Sequence, residues 1–156
     1  MSEQVEALPA QAIASDSRTT ISWRDYLELT KPRVVALMIL TSVIGMLLAA
    51  PGVPGWGVLV WGNLGIALLA GAAAVVNHVV DQKIDTVMAR TRKRPVATGK
   101  ISPLDAVLFA TILACVGMAV LMWQVNHLTA WLTLASLVGY AGVYTLFLKR
   151  ATPQNI

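Results

Sequence analysis

The chain has 156 residues, of which 56% are hydrophobic and 13% charged, with a net charge of +4. A soluble domain carries about 25% charged residues, so this composition argues against an ordinary water-soluble fold. The basic residues flank apolar runs, which points to membrane topology rather than to nucleic acid as a partner, and a single cysteine, Cys115, excludes a disulfide framework.

Residues 1–21 are small, polar and weakly acidic, and no basic residue precedes Arg18. They read as a disordered cytoplasmic tail rather than a cleaved signal peptide. Ser22 to Thr30 comes next, with Trp23, Tyr26, Leu27 and Leu29 set among charged residues, and predicts a short interfacial helix ended by Lys31-Pro32. Four apolar stretches then predict membrane-spanning helices at about 34–50, 57–80, 104–123 and 128–148. Each approaches the ~20 residues that cross ~30 Å of hydrocarbon. The second is dense in small residues (Gly62, Gly65, Ala67, Ala70, Gly71 to Ala74), which predicts close helix contact and an interior position. Ser102-Pro103 with Asp105 reads as N-cap, first-turn proline and first-turn acid of the third span. Cys115 lies in an apolar run and reads as a small buried thiol.

The connections alternate in character. Pro51 to Trp56 and Gln124 to His127 carry no Lys, Arg, Asp or Glu, whereas Asp81 to Pro103 is long and basic. All twelve Lys and Arg fall in the N-terminal segment, that long connection or the C-terminal tail. Four spans put those three regions on one side, which the positive-inside rule makes the cytoplasm. The fold class is therefore all-α, a polytopic membrane helical bundle with its polar residues gathered at one face.

Chemistry concentrates at the end of the second span. Asn77, Asp81 and Asp85 are four residues apart. Steps of four rotate about 40° on a helix, so the three oxygens form one stripe. Two carboxylates and an amide suit Mg²⁺, which takes one or two carboxylates and fills its shell with phosphate oxygens and water. Carboxylates at a helix end can also simply sit in interfacial water, and both readings stand at this point. The basic run Arg90 to Lys100 is likewise either a topological signal or a diphosphate clamp, since Arg presents a planar fork to phosphate oxygens and Lys a point charge. His78 points about 100° from Asn77, off the stripe, and stands open between a structural role and that of an axial metal ligand. His127 sits at the opposite interface with Trp123 and Trp131 and reads as structural. Met88 reads as packing or a soft contact.

Asn77-x-x-x-Asp81-x-x-x-Asp85 resembles the first aspartate-rich motif of the intramembrane prenyltransferases, the UbiA-type superfamily. Asp85-x-x-Met88-x-Arg90-Thr91-x-x-Arg94-Pro95, then Gly99-Lys100-Ile101-Ser102, resembles its heme O synthase (protoheme IX farnesyltransferase) branch. So do Tyr26-x-x-Leu29-Thr30-Lys31-Pro32-Arg33 and Tyr144-Thr145-x-x-Leu148-Lys149-Arg150-x-Thr152-Pro153-Gln154-Asn155-Ile156. The resemblance covers 22–156, as the N-terminal half of the membrane prenyltransferase domain. It implies about nine membrane helices, four of them here, around a cavity open to lipid. It implies transfer of the farnesyl group of farnesyl diphosphate to a vinyl group of heme b, giving heme O.

Carried over by position, Asn77, Asp81 and Asp85 hold Mg²⁺ on the diphosphate, and Arg90, Arg94, Lys100, Tyr144 and Lys149 contact it. The Tyr144–Lys149 spacing is one residue longer than in the quinone-pathway relatives. The implied setting is the bacterial inner membrane, with heme A synthase or terminal oxidase assembly proteins as partners beside the lipid bilayer. The second aspartate-rich motif is absent from these 156 residues, and the reading is of a truncated chain, inactive by itself. The alternatives are a prenyltransferase with an aromatic or quinone-precursor acceptor, a non-catalytic four-helix scaffold, and a small transporter.

Overall fold

The computed structural model describes residues 21–85 (83–85 by backbone alone), 95–140 and 142. The described residues form five helices and no strand: α1 (Trp23–Leu29), α2 (Pro32–Ala49), α3 (Trp56–Asp85), α4 (Pro103–Gln124) and α5 (His127–Val138).

Local chemistry sets the ends of these helices. Ser22 caps α1: its backbone N–H donates to Asp25 Oδ2 at 2.7 Å, and the Arg24 N–H donates to Ser22 Oγ. Pro32 opens α2, so the residue before it is disfavoured in the right-handed α region. Lys31 takes φ +51°, the only positive φ among described non-glycine residues, and forms a sharp elbow between α1 and α2. Ser102 Oγ accepts the Asp105 N–H at 3.1 Å ahead of α4, and Asn126 Oδ1 accepts the Thr129 N–H at 2.7 Å ahead of α5.

α3 is the centre of the bundle and packs on all four other helices. Its small residues explain this. A Cβ built on Gly117 of α4 would lie 3.1 Å from the Gly65 carbonyl oxygen, and one on Gly65 would lie 3.2 Å from the Gly117 oxygen. The two backbones touch, as small residues permit between membrane helices. Leu69, Leu121 and Ala130 close the core on the side of the short α4–α5 turn. A second cluster of Leu29, Ala72, Val75, Val96, Ile101, Ala106 and Ala110 closes it at the charged end. There Tyr26 of α1 stacks edge-on against Phe109 of α4, with ring centroids 5.1 Å apart.

The outer surface is apolar. Leu48, Leu104 and Trp123 are each more than 80% exposed, an arrangement suited to lipid rather than water. Among the described residues α2, the stretch Trp56–Gln82 of α3, and α4 are long and apolar enough to cross a membrane. The chain is a multi-pass membrane helical bundle. Two sequence readings change in detail. Cys115 is exposed on α4, because an apolar run on an outer helix faces lipid rather than protein. The second helix runs past Val80 to Asp85, because hydropathy marks where the bilayer ends and not where helical hydrogen bonding stops. The fourth predicted span is described only through α5 and the few residues after it.

Candidate functional site

α3 has 30 residues, about 45 Å at ~1.5 Å each. A hydrocarbon layer of ~30 Å takes up about twenty of them. Counted from Trp56, Asn77 falls near the edge of that layer and Asp81 lies about one turn beyond it. Both are almost wholly enclosed, with 4% and 2% of their surface exposed. That burial separates them from acids merely wetted at a helix end. The next residue of the stripe, Asp85, is described by backbone only and closes α3.

The stripe continues inward as a row of alanines. Ala70, Ala73 and Ala74 line a cavity of about 320 Å³ between α2, α3 and α5, with Val34, Met38, Ile66, Leu69 and Leu137. Ala73 and Asn77 are four residues apart, so the buried amide stands one turn beyond the alanine floor. Lys31, at the α1–α2 elbow, lines the mouth of the same cavity.

The basic connection returns against this end of α3. Gln82 Nε2 donates to the Val96 carbonyl at 3.2 Å. A turn at Pro95 to Ile101 comes after it: the Gly99 N–H donates to Val96 O, the Ile101 N–H to Pro95 O, and Gly99 takes φ +74°. Only glycine adopts that backbone angle without strain. Lys100 Nζ lies 2.8 Å from both carboxylate oxygens of Asp25, pinning the turn to α1. The hydrogen bond from Lys100, with the Ser22 backbone N–H and the ammonium charge behind it, holds the Asp25 carboxyl below its ordinary 3.8. Thus Lys100, a diphosphate candidate from sequence, is engaged with α1. Arg90, Arg94, Tyr144 and Lys149 lie outside the described residues.

Two features escaped the sequence reading. Asp25 was one more interfacial charge there, and its pairing with Lys100, 75 positions away, leaves no local signal. Asn63 is 8% exposed and donates to Leu59 O at 2.6 Å, with Met46 Sδ at 3.7 Å, linking α3 to α2. Here a signal existed, since an amide in the middle of an apolar run has to find partners.

The oxygen donors fit a Mg²⁺ ion only in part by themselves. Among the described residues no group of three or more His, Cys, Asp or Glu converges on one point. A buried amide and a buried carboxylate on one face fit an ion whose remaining ligands come from a diphosphate and water.

Similarity to known proteins runs along most of the chain. The model of the UbiA prenyltransferase family matches residues 38–156. Protoheme IX farnesyltransferase of Marinobacter nauticus is 85% identical over 152 residues, 97% of this chain and 50% of that protein. The protein of the same name from Saccharophagus degradans is 70% identical, covering 86% of this chain and 44% of the relative. Protoheme IX farnesyltransferase 1 of Pseudomonas fluorescens is 64% identical, covering 95% and 46%. The chain spans about half the length of the curated relatives it matches. No solved structure matches it. With the family match running over most of its length, and a buried Asn77–Asp81 stripe inside the matched region, the chain belongs to the UbiA prenyltransferase family.

Proposed function

We propose that this chain is the diphosphate-binding half of an enzyme that transfers the farnesyl group of farnesyl diphosphate to a vinyl group of heme b. The observation that carries this reading is the junction on α3 between an alanine-floored apolar cavity and the buried pair Asn77 and Asp81. An allylic diphosphate has that same division, an apolar chain ending in a charged head. The names of the relatives favour heme b as acceptor over a phenol or quinone precursor.

In this reading Asn77 and Asp81, with Asp85 one turn on, hold Mg²⁺ against the diphosphate. The ion supplies positive charge that offsets the charge gathering on the leaving group. Arg90, Arg94, Tyr144 and Lys149 complete the diphosphate contacts, with Lys100 reaching it on release from Asp25. The apolar cavity holds the farnesyl chain and excludes water around C1, so the developing allylic cation is not quenched. The C1–O bond breaks with its electron pair leaving on the diphosphate. The vinyl π pair forms the new C–C bond. Water then adds at the cationic carbon beside the ring and loses a proton, giving the hydroxyethylfarnesyl group. The site faces the cytoplasm of a bacterial inner membrane, the side on which the positive-inside rule places the arginines.

The test joins this chain to the C-terminal half of the Marinobacter nauticus relative and supplies farnesyl diphosphate, Mg²⁺ and either heme b or 4-hydroxybenzoate. Farnesylated heme alone supports the proposal. Farnesylated phenol in its place sinks the choice of acceptor, and no transfer to either sinks the reaction.

A further inference from the structure

His78 is the residue after Asn77 and points about 100° away from it. It is 3% exposed and lies in a different recess from the alanine cavity. That recess, about 740 Å³, is bounded by α1, the elbow and the start of α2: Trp23, Arg24, Leu27, Glu28, Lys31, Pro32 and Arg33, with His78 from α3. Its composition is specific. Its lining includes the apolar side chains of Trp23, Leu27 and Pro32, with the Arg24 guanidinium 5.8 Å from the centre of the Trp23 ring. It also includes three cationic residues, Arg24, Lys31 and Arg33, against the single acid Glu28 among the described residues. His78 is the residue that α3 contributes to the lining. Lys31 borders this recess and the alanine cavity alike, so the two meet at the elbow.

We propose that this recess seats the tetrapyrrole acceptor, with His78 as axial ligand to the iron and Arg24 and Arg33 facing its two propionates. The proposal rests on the reading of heme b as acceptor and adds where that acceptor sits. A dicarboxylate macrocycle has three recognisable parts, and the recess offers a match for each. The apolar lining residues Trp23, Leu27 and Pro32 accept the ring. The guanidinium forks accept carboxylates. A neutral imidazole is a common ligand of heme iron. The recess lies within the volume range typical of small-molecule sites. The arrangement also has a chemical consequence. A ring held at His78 places its periphery next to the neighbouring residue, Asn77, where the allylic diphosphate is bound in this reading. Acceptor and donor then approach from two faces of one helix and meet at the elbow.

The experiment uses the chain continued by the C-terminal half of the Marinobacter nauticus relative, in phosphatidylcholine nanodiscs, as wild type, His78→Ala and Arg24→Ala/Arg33→Ala. Heme b, heme b dimethyl ester and metal-free protoporphyrin IX are titrated, read by Soret absorbance and tryptophan quenching. His78→Ala should shift the Soret band and weaken heme b about tenfold or more, leave protoporphyrin IX within about twofold, and regain the wild-type band with added imidazole. Recovery with imidazole separates loss of a ligand from loss of fold. The double Arg variant should weaken both diacids about fivefold and leave the diester unchanged.

An unshifted Soret band in His78→Ala, or equal losses for diacid and diester in the Arg variant, overturns the seat. So does loss of wild-type heme binding when phosphatidylglycerol replaces phosphatidylcholine, which would mark the recess as a lipid headgroup site. Farnesyl transfer to heme by the wild type, measured in parallel, keeps the two readings apart. Transfer that persists while His78→Ala binds heme normally removes the seat and leaves the reaction standing. Wild type that neither binds nor farnesylates heme removes both.

Discussion

Replacing Gly117 by Ala tests whether backbone contact between α3 and α4 holds the site in place. The new Cβ would sit 2.6 Å from Leu69 Cδ1, 3.1 Å from Gly65 O and 3.1 Å from Leu68 Cβ. Leu69 Cδ1 ends a side chain that borders the alanine cavity and can shift, but the other two atoms move only with the helix, so they set the cost. Overpacking of this kind costs about 1–3 kcal/mol. Against it stands the gain of roughly 0.5–1 kcal/mol from replacing a helical glycine by alanine. Gly45→Ala on α2 isolates the packing contribution, because its Cβ meets nothing within 4 Å and its propensity gain is the same. The difference between the two variants is therefore the packing cost alone, about 1–3 kcal/mol. Unfolding titrations with sodium dodecyl sulfate in mixed micelles, followed by circular dichroism, measure it. Equal midpoints for Gly117→Ala and Gly45→Ala would refute the close approach of the two helices.

Three further outcomes are expected. Asp81→Asn in the completed enzyme should lower farnesyl transfer by about 10²-fold or more, and Mg²⁺ binding should strengthen when inorganic diphosphate is present, as calorimetry can measure. Ala73→Leu fills the alanine-floored cavity and should raise KM for the fifteen-carbon donor about tenfold relative to the ten-carbon donor, in competition assays. Asp25 has a folded-state pKa below 3.8, so the stability its pairing supplies is fully present above that value and is lost as pH falls through the lower folded value. The gap in unfolding midpoint between wild type and Asp25→Asn should stay flat from about pH 8 to about pH 5 and narrow in more acidic solution. A gap that stayed constant deep into acidic solution would mean that the Lys100 contact does not stabilise the ionised carboxyl.

Sequence by itself determined the features that local composition and helical period control. Long apolar runs require helices in a bilayer, because the backbone can satisfy its own hydrogen bonds there in few other ways. Caps such as Ser102 and Asn126 act within three residues, so they too are readable along the chain. The alignment of Asn77 with Asp81 is a property of the helix alone. Family membership was likewise written in motifs that are local in sequence. Tertiary structure decided whatever depends on residues brought together from afar. It enclosed Asn77 and Asp81, which no spacing rule foretells. It set Lys100 on Asp25 rather than on the stripe, turned Cys115 outward, and placed His78 in a recess built mainly by α1 and the elbow. The physical reason is common to all of these. Burial and pairing depend on which helix faces arrive at the same place, and that is settled by the Gly65–Gly117 contact and the left-handed Lys31 elbow.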